Sequence, residues 1–119
     1  MKISVLGLGI IGGTWARNLI ADGNEVRCWN RTPKPDFPNF EASIQKAVSG
    51  AEAIVIVVAD PPAVSGILDQ IVPELGAGQL VIQSSTISAR WTREFAGRVT
   101  ATGAETLSTK TAALAVISS

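Results

Sequence analysis

The sequence predicts a single α/β domain built on a doubly wound parallel sheet. Three observations carry that expectation. Short apolar runs (Ile3-Ser4-Val5-Leu6, residues 53–58 and Leu80-Val81-Ile82) alternate with longer stretches of three- and four-residue apolar spacing. The run over 53–58 is apolar without alternation and rich in β-branched residues, the pattern of a central strand covered on both faces. A chain of 119 residues, 46% of them hydrophobic, is long enough for one core and too short for a second full domain.

Taken in order, Ile3-Ser4-Val5-Leu6 reads as a buried strand that runs at once into Gly7-Leu8-Gly9. From 10 to 21 the residues Ile11, Trp15, Ala16, Leu19 and Ile20 fall on one helical face, and Asp22-Gly23-Asn24 stops the helix. Residues 25–29 form a second strand carrying Val26 and Cys28. Pro33, Pro35 and Pro38 make a loop of residues 30–39, and Ile44, Ala47 and Val48 suggest a short helix. The strand over 53–58 is followed by Asp60-Pro61-Pro62, which opens a helix bearing Val64, Ile67, Leu68 and Ile71. Leu75-Gly76-Ala77-Gly78 is a turn, Leu80-Val81-Ile82 a strand, and Ser88 the N-cap of a helix over 89–96. On its open side Arg90, Arg93 and Arg98 form a solvated face. Thr106-Leu107 is a candidate last strand, so residues 1–107 are assigned to the domain and 108–119 to an irregular tail.

Composition excludes several functions. Ten Lys and Arg balance ten Asp and Glu, leaving no basic surplus to draw the chain onto nucleic acid or anionic lipid. With no His and one Cys, Cys28, there is no His-based triad, no zinc site and no intramolecular disulfide, and no metal ligands are assigned. No apolar run approaches the roughly 18 residues that suggest a membrane span. The opening Met1-Lys2-Ile3-Ser4-Val5 is strand-like rather than a signal segment, so a cytoplasmic protein is expected.

The chemistry lies in Gly7-Leu8-Gly9-Ile10-Ile11-Gly12, a G-x-G-x-x-G. Alone the match is weak. Placed after a strand, opening an amphipathic helix and leading to a second strand, it reads as the dinucleotide fingerprint of a Rossmann fold. Gly7 would make the tight turn, Gly9 would let backbone N–H groups approach a pyrophosphate, and Gly12 would let helix and strand close up. The helix N-terminus adds oriented donors for the anion. The competing reading is glycines used for turns and packing alone. An NAD site carries Asp or Glu at the end of the second strand, whereas this chain has Asn30-Arg31-Thr32. A cation and neutral donors suit a 2′-phosphate, so NADP is favoured over NAD, against the alternative of an Arg merely solvated in a loop.

These residues, with Ala16, Leu19, Gly23 and Trp29, resemble the β-hydroxyacid dehydrogenase family, whose relatives include 6-phosphogluconate dehydrogenase and the imine reductases. Val58-Ala59-Asp60-Pro61-Pro62 is similar to that family's strand-end loop beside the cofactor. Ser84-Ser85-Thr86-Ile87 is similar to its Asp-x-Ser-Thr segment, with Thr86 on the cofactor-contacting threonine, although the same residues could simply end a strand. The resemblance spans about residues 1–107 and implies an NADP(H)-binding domain of an oxidoreductase that moves hydride to or from small hydroxyacids, aldehydes or imines. The cofactor-binding residues it and the motif assign are Gly7, Leu8, Gly9, Ile10, Ile11, Gly12, Asn30, Arg31, Thr32, Val58, Ala59 and Thr86. Departures are Gln83 where the family has Asp, Ile11 where Met is common, and Ser108-Thr109-Lys110-Thr111 in place of its glycine-rich substrate segment. The family's lysine lies far downstream on a helix joining an all-helical domain through which it dimerises, and Lys110 is read as a solvated tail residue instead. No catalytic residue is therefore assigned. The alternatives are a non-catalytic NADP-binding module or an inactive, truncated fragment without a substrate domain.

Overall fold

Strand and helix alternate from the second residue onward, and the computed structural model describes residues 1–58, 60–84 and 88–107. β1 (Lys2–Leu6) leads into α1 (Ile10–Ala21), β2 (Glu25–Trp29), α2 (Ile44–Val48) and β3 (Ala53–Ile56). After these come α3 (Pro61–Ile71) with a 3₁₀ turn (Val72–Glu74), β4 (Leu80–Gln83), α4 (Ala89–Thr100) and β5 (Glu105–Leu107). All strand pairs are parallel, in the order β2-β1-β3-β4-β5, so the chain reverses its direction of travel across the sheet between β1 and β3. Open α/β sheets bind ligands at such a reversal, beyond the carboxyl ends of the strands.

Alternate strand residues feed two cores, one on each face. Val5 of β1 and Ala53 and Val55 of β3 face α1, where they meet Ala16 and Leu19, with Phe37 of the proline-rich loop completing the layer. Leu6, Ile54 and Ile56 face the other way, onto α2, α3 and α4. Ile54, Val55 and Ile56 are completely buried, which is why the run shows no polar alternation. Each such side chain contributes about 1.5–3 kcal/mol through burial. Ser4 is the polar exception on β1, and its hydroxyl is satisfied by the Ala47 carbonyl, tying α2 to the sheet.

Among the described residues one further parallel bridge flanks the outer side of β2, Cys28 to Phe40. The Cys28 N–H donates to the Asn39 carbonyl (3.1 Å) and the Glu41 N–H donates to the Cys28 carbonyl (2.7 Å). It is a sixth strand reduced to a single contact, and it pins the long loop against the sheet.

Several expectations need correction. β3 ends at Ile56 rather than at residue 58: the Val57 N–H makes a last bond to the Leu6 carbonyl of β1 (2.9 Å), and the chain then leaves the sheet along the crevice. α4 continues to Thr100, past the expected 96, since Phe95 and Val99 keep its apolar face on the core. Ile11 is not on the buried face of α1; it is 47% exposed, and Gly12 and Gly13 occupy the contact instead. Arg98 is not simply solvated, for it pairs with Asp69 and donates to the Ser65 hydroxyl (3.2 Å), strapping α4 to α3. The expected tail 108–119 lies outside the described residues, as do Ala59 and Thr86. No helix among the described residues is long and apolar enough to cross a membrane.

Candidate dinucleotide-binding site

The strands end in step. Leu6 is in register with Trp29 on one side and Ile56 on the other, and Ile56 with Gln83. Gly7, Asn30, Val57 and Ser84 therefore line one edge of the sheet, at the reversal point. Gly7 donates its N–H to the Trp29 carbonyl (2.9 Å) with φ at 111°, a conformation L side chains avoid. A Cβ there would lie 2.1 Å from the Val57 carbonyl oxygen.

Gly12, one turn into α1, is set by contact rather than by dihedral. A Cβ on it would lie 1.9 Å from the Gly7 carbonyl oxygen and 3.3 Å from the Val57 Cβ. The helix start is thus pressed directly onto the β1–α1 turn. Gly9 differs: it is the N-cap of α1, with no side-chain cap, and a Cβ on it would meet nothing within 4 Å. By contrast, α2 is capped by the Ser43 hydroxyl and α3 by the Asp60 carboxylate, which accepts the Ala63 N–H at 2.9 Å. The first N–H groups of α1 have no intrahelical acceptor and lie at the positive end of the helix dipole, where the Cβ position of Gly9 is open. Ile10 beside them is 92% exposed. A helix start of this kind could hold an anion such as a pyrophosphate through the backbone N–H groups of Gly9, Ile10, Ile11 and Gly12.

Beyond β2, Asn30 turns inward rather than out. Its Oδ1 accepts the Leu8 N–H (2.8 Å) and its Nδ2 donates to the Thr32 carbonyl (2.9 Å), so the side chain braces the glycine loop instead of offering free donors. Arg31 and Thr32 are exposed. Arg31 lines a recess of about 730 Å³ with Gly7, Trp29, Val58, Pro62 and Ile67, roomy enough for an adenosine. A second recess of about 780 Å³ is lined by Leu8, Gly9, Arg17, Lys34 and Phe37. There Arg17 stacks over the Phe37 ring at 4.6 Å, and Lys34 Nζ donates to the Leu8 carbonyl at 2.8 Å.

The structure thus brings the glycine motif, residues 30–32 and Val58 to one edge. The sequence reading missed Val57, whose carbonyl limits the space at Gly7 and whose Cβ limits it at Gly12, and Lys34, a residue of the proline-rich loop. A lysine among prolines carries no signal of which carbonyl it reaches. Ser84 is buried at the end of β4, and its hydroxyl has no partner among the described residues.

A parallel sheet reversing at β1/β3, with an uncapped helix over a glycine turn at that point, defines a Rossmann dinucleotide-binding domain. Comparison with known proteins makes this specific. The profile for the NAD binding domain of 6-phosphogluconate dehydrogenase matches residues 2–110, and the chain belongs to that family. Glyoxylate/hydroxypyruvate reductase A of Serratia proteamaculans is 35% identical over 72 residues, which are 57% of this chain and 23% of that protein. The 3-hydroxyisobutyrate dehydrogenase of Mycobacterium tuberculosis, solved with L-serine, superposes with a TM-score of 0.84 at 25% identity, over 90% of this chain and 39% of that one. An imine reductase of Myxococcus stipitatus in complex with NADP+ shares the fold, with a TM-score of 0.81 at 24% identity over 91% of this chain and 40% of that one. The match spans about a quarter of the reductase and two fifths of each solved chain. The family is one of oxidoreductases, and this chain is a nicotinamide-dinucleotide-binding domain of it.

Proposed function

We propose that the domain binds NADP(H) in preference to NAD(H), serving an oxidoreductase that reduces small carbonyl or imine compounds or oxidises the corresponding hydroxyacids. The bound nicotinamide would supply or accept the hydride; this chain's share is binding and orientation. The observation that carries the cofactor preference is the pair Asn30 and Arg31. The position that holds a ribose-binding carboxylate in NAD sites is Asn30, whose amide is committed to Leu8 and Thr32. Next to it an exposed Arg31 lines the adenosine-sized recess, where a guanidinium can take a 2′-phosphate through two parallel hydrogen bonds. Asp60 lines the same recess, but its carboxylate caps α3. Val58 and Pro62 supply apolar walls for the adenine, and the α1 N-terminus holds the pyrophosphate between the two halves. Ala59 and Thr86 stay assigned to the cofactor on the family resemblance alone.

Titration of Arg31→Ala with both cofactors tests this. NADPH affinity is expected to fall by about 1.5–3 kcal/mol, the usual value of a hydrogen bond to a charged group, with NADH affinity nearly unchanged. Equal weakening of both cofactors would refute the preference.

A further inference from the structure

The glycine loop is held from outside by a residue that the dinucleotide motif does not contain. Leu8 is 2% exposed, so both of its backbone groups need partners within the protein. The helical ladder of α1 does not supply one for its carbonyl, because the first acceptor there is Gly9, which takes the Gly13 N–H at 2.8 Å. Instead the Leu8 N–H goes to Asn30 Oδ1 and the Leu8 carbonyl to Lys34 Nζ, each at 2.8 Å. Two side chains four residues apart on one loop thus grip both sides of a single residue in the phosphate cradle. That loop is itself pinned to the sheet through the bridge of Cys28 with Phe40.

The geometry has a directional result. A trans peptide is planar, so its C=O and N–H point in opposite directions. The Leu8 carbonyl and the Gly9 N–H belong to the same peptide unit. Drawing that carbonyl toward Lys34 turns the Gly9 N–H the other way. It also keeps a partial negative charge engaged by an ammonium instead of facing an incoming anion. Lys34 and Arg31 line different recesses.

Resting on the dinucleotide-binding reading above, we propose that Lys34 is a positioning residue: it orients the Leu8–Gly9 peptide so that the Gly9 N–H is presented to the pyrophosphate, and it does so for either nicotinamide dinucleotide. Its signature differs from that of Arg31, because the pyrophosphate is common to both cofactors.

The test uses the full 119-residue chain with Lys34→Met, which keeps most of the stem and removes the donor, and Lys34→Arg, which restores one. Lys34→Met is expected to weaken NADPH and NADH by the same factor, about tenfold, and Lys34→Arg to recover most of the loss. Native-state amide exchange of the ligand-free proteins reads the loop directly: the Leu8 N–H, held by Asn30, should exchange faster in Lys34→Met while β1 and β3 keep their rates. Loss of NADPH affinity alone would make Lys34 a contact of the 2′-phosphate and overturn the proposal. Unchanged affinities, or unchanged exchange at Leu8, would overturn it too. A wild-type chain that binds neither cofactor would instead refute the dinucleotide reading, and the exchange rates would still decide whether Lys34 holds the loop.

Discussion

Cys28 is fully buried in β2, and burial pushes its thiol up to about 11 because the thiolate cannot be solvated there. Its ordinary value, kept in the unfolded chain, is 9.0. The folded state therefore keeps a proton that the unfolded state releases between those values. The sign follows: the contribution to stability is complete below about pH 9 and is lost as pH rises toward 11. Urea midpoints measured at pH 7.5 and 9.5 should fall more for the wild type than for Cys28→Ala. An equal pH dependence in the two would contradict this. The same burial keeps Cys28 from acting as a nucleophile, since both exposure and thiolate are lacking. At this scale composition was informative about exclusions. Partners were less legible, because nothing in the spelling of Asn30, Lys34 or Arg98 says which carbonyl or carboxylate each will reach.

The β1–α1 unit separates two glycines that look equivalent in the motif. Gly12→Ala forces a methyl against the Gly7 carbonyl, so helix and turn must move apart. Overpacking of that kind typically costs 1–3 kcal/mol, and thermal unfolding should show at least this loss with or without cofactor. Gly9→Ala meets no atom in the ligand-free protein, and its φ of −70° suits alanine. That variant should melt close to the wild type while losing cofactor affinity, because its methyl enters the space above the helix N-terminus. Retained NADPH affinity in folded Gly9→Ala would refute the cradle. The order of strands and helices was legible because hydrophobic spacing reports directly which residues face a core. Element ends were less so: Val57 and Val58 are as apolar as the strand before them, yet they belong to the crevice. Ile11 looked like core for the same reason. The spacing cannot tell that two glycines take the contact and push their neighbour outward.

For the molecule as a whole, the expected result is binding without turnover. Reducing a carbonyl needs a proton donor at the oxygen, a contribution of about 10²–10⁴-fold, and a pocket that aligns the carbon with the nicotinamide. The chain has no His and no Tyr. Of its lysines, Lys2 starts β1 at the end of the sheet away from the crevice, Lys46 lies on α2, and Lys34 is engaged with Leu8. Lys110 lies outside the described residues. NADPH oxidation with glyoxylate, succinic semialdehyde or a cyclic imine should stay at background. A rate that disappears in Lys110→Ala would make the chain an enzyme by itself. The bridge between Cys28 and Phe40 bears on a different property, the tendency of such a sheet to stick to its own copies. Glu25 and Trp29 turn their backbone groups toward β1, so in this five-residue strand only Val26 and Cys28 present theirs outward. The short contact with Asn39 and Glu41 uses both groups of Cys28. What remains is a single open residue flanked by the charges of Glu25 and Arg27, too little for a neighbouring strand to zip onto, and that edge is closed to aggregation.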